Sequence, residues 1–283
     1  MAGPALAGCV GGAPGPSITA TPHGAPEAIP VTVSKRDGAG PFPAVVIMHD
    51  CSGLGPTSSG APARWARELV ARGYVVIMPD SFTPRGHAGG VCTVPGPQRR
   101  ADVSPDRRVH DALAALAHAR ALPEVGGRRV GIMGGSHGGS TTLATIMPPD
   151  ADPARAGRGA PAGFAAAVAL YPRCDLRSGG QPPSAPLLIL IGEKDDWTPA
   201  DACRRLVEAV PRAAPPVTLK VYPGAHHSFD SPSPVRYVAT RINPNAPGGR
   251  GATTGGDPAA WADSIREVVA FFDRHLKRAP GAS

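Results

Sequence analysis

The chain has no apolar run approaching the ~18 residues that a membrane-spanning helix needs, so no integral membrane span is expected. Lysine is scarce: four residues carry it among 29 basic side chains, so the net charge of +7 rests on arginine. Arginine, alanine, glycine and proline all have GC-rich codons, and codon bias accounts for the charge as well as a function does. The Arg-Arg pairs beginning at positions 99, 107, 128 and 204 are scattered, with no stripe and no interleaved aromatics. That pattern predicts solvated surface and no nucleic-acid partner. No set of ligand-type side chains recurs at metal-site spacing, so no metal is expected. Internal repeats are absent too.

Cysteine is sparse, with five residues. Leu6-Ala7-Gly8-Cys9 resembles a bacterial lipobox, which implies a lipid anchor at Cys9. Neither a basic n-region nor an apolar h-region precedes it. An exported, periplasmic or lipid-anchored protein is expected if the lipobox is genuine, and a cytoplasmic one otherwise. Cys51, Cys92, Cys174 and Cys203 remain. They could form two disulfides in any of three connectivities, or stay four free thiols, and the sequence leaves both open.

What is present is an alternation of short apolar runs with helical patterns. At 283 residues, 42% of them apolar, the chain is long enough for one large α/β domain. Residues 1–27 read as a flexible tail, 28–278 as the domain and 279–283 as a C-terminal tail. Residues 29–34 alternate like an edge strand. Pro43–His49, Tyr74–Met78, Val130–Met133, Ala165–Tyr171 and Leu187–Ile191 read as buried strands, and Val217–Tyr222 as the last. Val109, Leu113 and Leu116 suggest a helix stripe after a Ser104-Pro105 start. Thr198-Pro199-x-Asp201 and Asp257-Pro258 read as helix caps. The final helix places Trp261, Ile265, Val268, Val269, Phe272 and Leu276 on one 3.6-period face. Residues 81–104 and 231–256 read as long loops able to wall a pocket. Strands alternating with helices predict a mostly parallel sheet covered on both faces.

The segment RVGIMGGSHGGSTTL, Arg129–Leu143, organises the rest. Gly134-Gly135-Ser136-His137-Gly138 fits G-x-S-x-G, the sharp strand-to-helix turn that lifts a serine hydroxyl above a sheet. A serine hydroxyl is a weak nucleophile. It needs an imidazole to accept its proton and a carboxylate to orient that imidazole. Two later strand ends offer those groups. LLILIGEKDDWTP supplies Asp195, with Asp196 and then Glu193 as alternatives. VYPGAHHSFD supplies His227, with His226 beside it. The order Ser136, Asp195, His227 is that of α/β-hydrolases.

In VVIMHDCSGL, GGSHGG, LILIGEKDDWTP and YPGAHHSF the chain resembles the dienelactone hydrolase family of α/β-hydrolases, over roughly Pro43–Leu276. The resemblance implies an α/β-hydrolase fold and a catalytic triad of Ser136, Asp195 and His227. Asp195 is selected because it stands four residues before Pro199, and His227 because it stands two before Phe229. The resemblance also implies an oxyanion hole from the backbone N–H groups of Cys51 and His137, and no metal or organic cofactor. The best-known members use cysteine as nucleophile; serine here favours a general carboxylic ester over dienelactone. Asp50 matches the acidic residue those enzymes carry near the nucleophile. Candidate substrate contacts are Asp50, Arg85, Tyr171 and Trp197. Arg85, with Arg99 and Arg100, would meet a substrate carboxylate. The expected function is hydrolysis of a small ester or lactone through an acyl-enzyme. The alternatives are a peptidase or polyester hydrolase on the same triad, and a non-catalytic surface binding protein with this fold.

Overall fold

The computed structural model describes residues 16–96, 98–147, 163–177 and 182–277, without the side chains of 23 and 98–100. The lipobox around Cys9, the tail 279–283 and the Arg99 and Arg100 side chains lie outside the described residues.

Eight strands form one sheet in the order β1-β2-β4-β3-β5-β6-β7-β8. From β4 (Val75–Pro79) through β3 (Phe42–Met48), β5 (Val125–Gly135), β6 (Ala166–Leu170) and β7 (Leu187–Gly192) to β8 (Val217–Tyr222), all pairings are parallel. Residues of β4, β6 and β7 are buried throughout. A strand buried on both faces has no polar side, which is why these runs are continuous and not alternating. Truncating one such side chain, for example Ile189→Ala, costs about 2–5 kcal/mol through lost transfer energy and a residual cavity.

Helices cover both faces. Helix α1 (Ala61–Ala71) and α5 (Pro258–Phe272) meet where Trp65 packs edge-on against Trp261, ring centroids 4.8 Å apart. Helix α2 (Val109–Ala121) packs on α3 (His137–Ile146). Helix α4 (Ala200–Ala209) joins β7 to β8. Asp257 caps α5 as expected, its carboxylate accepting from Ala259 N and Ala260 N. Val268 and Phe272 of that helix are buried in the core, as is Leu276 in the π-helical turn Asp273–Lys277 that follows it.

Several local expectations are corrected. Strand β1 (Ser17–Ala20) pairs antiparallel with β2 (Glu27–Ser34), which in turn pairs antiparallel with β4. The sheet therefore begins inside the segment read as a tail, and β2 is not the edge. Only Ile18 and Ala20 of β1 face the core, two residues that give no readable period among prolines and glycines. Residues 231–256 are not one loop: β9 (Arg236–Ile242) and β10 (Arg250–Thr254) form an antiparallel ribbon. Its strands largely face solvent, so hydrophobic alternation never develops. The apolar stripe of α2 is Val109, Ala112, Ala115, Leu116 and Ala119, so Val109 and Leu116 face inward as expected, whereas Leu113 is exposed. Small residues let that helix approach β1 and β5 closely. It starts at Val109; Ser104 Oγ accepts only from Arg107 N, in the turn before it. Thr198 does not cap α4, because its hydroxyl is engaged elsewhere.

Both pairs of internal cysteines are bonded, Cys51 to Cys92 and Cys174 to Cys203. The loops they close, 41 and 29 residues apart in sequence, correspond to about 3–4 kcal/mol each in the chain-entropy account.

Candidate active site

Strand β5 ends at Gly135, and Ser136 stands between it and α3 with φ 53° and ψ −116°. A non-glycine residue there is strained and must be held by its surroundings. Ser136 N donates to Leu170 O at 2.9 Å, tying the turn to β6. The glycines permit close approach. A Cβ on Gly138 would lie 1.9 Å from Met48 O, and one on Gly134 would lie 2.4 Å from the Gly138 backbone. The N-terminus of α3 thus packs directly on the end of β3, and its partial positive charge is aimed at the serine.

The structure brings the three sequence-selected side chains together. Ser136 Oγ is 3.0 Å from His227 Nε2, and His227 Nδ1 is 2.8 Å from Asp195 Oδ2. Ser136, Asp195 and His227 are all buried. Asp195 Oδ1 also accepts from Trp197 N at 3.0 Å and Thr198 N at 2.8 Å. With Nδ1–H donated to the carboxylate, His227 Nε2 is left to accept from the serine. Asp196 is occupied by Thr253 N and Oγ1, Glu193 accepts from Gly224 N, and the His226 ring bonds Lys194 O. The His227 ring lies 4.7 Å from both the Tyr171 and Trp197 rings. Its carbonyl accepts from Gly255 N just past β10, so the unforeseen ribbon helps seat it.

Ser136 opens onto a cavity of about 340 Å³. Cys51 and His137, the two expected oxyanion donors, line it with Trp197, Val91, Leu176 and Ile242. Val91 comes from the 81–104 segment and Ile242 from 231–256, the two stretches expected to wall the pocket. The Cys51–Cys92 disulfide forms part of the same wall. The charged lining residues Asp106 and Arg173 are ion-paired, with Arg177 and Asp175 respectively.

Three expected substrate contacts are corrected. The Arg85 guanidinium, 6% exposed, is clamped by Glu27 and Asp111 and ties β2 to α2. The Asp50 carboxylate accepts from Ser52 N at 2.7 Å and from the Ser52 and Ser59 hydroxyls, and so shapes its own loop. Tyr171 donates its hydroxyl to buried Asp230 at 2.8 Å, while Trp65 Nε1 donates to the other oxygen. None of the three lines the cavity. Trp197 does line it.

Two participants were not legible in sequence. Thr198 Oγ1 lies 2.9 Å from Asp195 Oδ2, 3.1 Å from His227 Nδ1 and 3.1 Å from Tyr171 O. Arg108, wholly buried, donates to His49 O and to the His137 ring. An arginine beside another in a basic chain gives no sign of burial. Burial dominates the local titrations. It pushes Arg108 down to about 10 and raises Asp230 and Tyr171. Burial and the Arg108 charge together hold His49 well below its usual value.

Similarity to known proteins accords with this geometry. A dienelactone hydrolase-like promiscuous phosphotriesterase from metagenomic libraries superposes with a TM-score of 0.63 at 19% identity, over 92% of this chain and 98% of its own. An esterase of Thermogutta terrifontis, solved with propionate bound, gives 0.60 at 19% identity over 90% and 93%. The dipeptidyl peptidase 4 of Porphyromonas gingivalis gives 0.58 at 19% identity, over 91% of this chain but 35% of the peptidase. At such identities these likenesses establish the fold. No curated protein sequence matches the chain significantly. The profile of the dienelactone hydrolase family matches residues 29–276, the whole span from β2 to the final helix, and the chain belongs to that family.

Proposed function

We propose that this protein is a serine hydrolase that cleaves a small carboxylic ester or lactone through an acyl-enzyme. One observation carries the reading: a buried imidazole bridges the Ser136 hydroxyl and the Asp195 carboxylate at hydrogen-bond distance on both sides. His227 takes the Ser136 proton as Oγ attacks the carbonyl carbon. Asp195 orients the imidazole and stabilises it once charged. The amides of Cys51 and His137 receive the oxyanion, each donor worth on the order of 10²–10³ in rate. His227 passes its proton to the departing alkoxide, then activates the water that releases the acid.

The mostly apolar cavity wall and the ion-paired state of Asp106 and Arg173 favour an uncharged substrate. Arg85 cannot greet a carboxylate while Glu27 and Asp111 hold it. Two disulfides support an oxidising compartment.

The test is hydrolysis of p-nitrophenyl acetate by wild type beside Ser136→Ala, with fluorophosphonate labelling to identify the reactive serine. Wild-type turnover that Ser136→Ala abolishes is the expected result. Equal rates, or labelling of another serine, would reject the assignment. A panel of neutral short-chain esters against lactones and esters carrying a carboxylate then addresses substrate class, with the neutral compounds expected to turn over faster.

A further inference from the structure

We propose that Arg108 is a positioning residue of the oxyanion hole, holding its two halves together through His49 and His137 and adding a fixed positive charge beside them. This rests on the hydrolase reading above and extends it.

The two expected oxyanion amides come from segments far apart in sequence. Cys51 follows β3, and His137 opens α3. Arg108, immediately before α2, touches both. Its Nη2 donates to the carbonyl of His49 at 2.9 Å, two residues before Cys51. Its Nη1 donates to Nδ1 of His137 at 2.8 Å. The guanidinium carbon sits 5.0 Å from the Phe82 ring centroid, and the same ring packs edge-on against His49 at 4.5 Å and His137 at 5.6 Å. One planar cation therefore spans the seam between the β3 loop and the nucleophile helix, clamped from below by an aromatic ring.

The protonation pattern follows from the donors. A guanidinium can only donate, so His137 Nδ1 must accept, and that imidazole is neutral with its proton on Nε2. His49 has Nδ1 2.9 Å from Asp50 O, while its Nε2 accepts from Ser81 N at 3.2 Å, which leaves it neutral as well. Arg108 is the one charge of the cluster. Among the described residues no carboxylate lies within ion-pair distance of it. The nearby acids are engaged elsewhere: Asp111 by Arg85, Asp80 by Phe82 N and Thr83 N, Asp50 by Ser52 and Ser59.

Burying a guanidinium without a carboxylate is costly, and an apolar side chain would fill the space at lower cost. The compensation lies in the reaction. Negative charge develops on the substrate oxygen only in the tetrahedral transition state, and a preorganised cation in a dry site stabilises that state more than the ground state. Loss of Arg108 should thus lower kcat and leave KM nearly unchanged.

The experiment compares wild type, Arg108→Met, Arg108→Lys and Ser136→Ala on p-nitrophenyl acetate, with active sites counted by fluorophosphonate titration. A trifluoromethyl ketone serves as oxyanion probe: Ser136 Oγ adds to its carbonyl, His227 takes the proton, and the resulting alkoxide occupies the hole. In Arg108→Met, kcat per titrated site is expected to fall roughly 10–100-fold with KM within about 3-fold, and ketone affinity to fall in parallel. Arg108→Lys, which keeps the charge but not both bonds, should lie between. Unchanged kcat and ketone affinity, or a loss confined to KM, would overturn the proposal. If Arg108→Met does not fold, Arg108→Lys and His137→Leu decide by the same split, and wild-type kcat in both overturns it. A wild type with no Ser136-dependent turnover rejects the hydrolase reading itself, and this proposal with it. Normal wild-type turnover with unaffected Arg108 variants rejects the proposal alone.

Discussion

The Thr198 hydroxyl lies 2.9 Å from Asp195 Oδ2, the same carboxylate oxygen that His227 Nδ1 approaches at 2.8 Å. Thr198 has one proton to donate, and Asp195 Oδ2 and Tyr171 O are its acceptors. The carboxylate is thereby fixed by three groups of its own loop, the Trp197 and Thr198 amides and the Thr198 hydroxyl, before the histidine reaches it.

Replacing that hydroxyl with a methyl group keeps the shape and removes one donor. Thr198→Val should lower kcat/KM for p-nitrophenyl acetate about five- to tenfold, the rate equivalent of one hydrogen bond of ~1 kcal/mol, with little change in melting temperature. Asp195→Asn should be far worse, on the order of 10⁴ in kcat by comparison with other triads, because the amide cannot hold the imidazole in its working tautomer.

The turn around the serine is a steric test. A methyl group on Gly138 would stand 1.9 Å from Met48 O, which is backbone and cannot swing aside. Gly138→Ala should destabilise the fold by at least ~1–3 kcal/mol and displace α3 from β3. A denaturant titration measures the first effect, and esterase activity the second.

The Cys51–Cys92 bond joins the loop after β3 to the 81–104 segment, where Val91 N also donates to Cys51 O at 2.7 Å. Cys51→Ala/Cys92→Ala should lose about 4 kcal/mol of stability on loop entropy alone. Its kcat should fall more than that of Cys174→Ala/Cys203→Ala, since only the first bridge lines the cavity at Ser136. Thermal melts and kinetics of the two double variants provide the comparison. Mass spectrometry under non-reducing conditions should find none of the four thiols free.

His49 provides a pH dependence of stability. Its folded-state pKa lies below the ordinary value of 6.5, through burial first and the Arg108 charge second, with Arg85 adding to it against the Asp50 carbonyl. Between those two values the unfolded chain binds the extra proton, so stability rises with pH there. This contribution is complete above about 6.5 and is lost as pH falls toward the folded value, at no more than ~1.4 kcal/mol per pH unit for one proton. Urea titrations at pH 7.5 and 5.5 should show this loss, and His49→Gln should show a smaller one.

Much of the fold was readable because a parallel sheet buries its strands on both sides. Runs such as Leu187–Ile191 or Val75–Met78 are too short for a buried helix and continuous in apolar residues, which is the pattern of a strand covered on both faces. Ser136, Asp195 and His227 were readable for a related reason: each follows the end of an apolar run, where a side chain can leave the sheet without a helix covering it. The β9–β10 ribbon was not, since its strands largely face solvent, and β1 was not, since its buried face is only Ile18 and Ala20, too short to show a period.

Residue types and their order along the chain thus determined the architecture and singled out Ser136, Asp195 and His227, which the structure brings together. Tertiary structure alone decided which polar side chains serve that site and which serve the scaffold. Arg85 and Tyr171 turn inward to partners on other segments, Asp50 turns back onto its own loop, and Thr198 and Arg108 reach the side chains of Asp195 and His137. Hydrogen-bond partnership is set by distance in space, and a single arginine or threonine has the same appearance in sequence wherever its side chain ends.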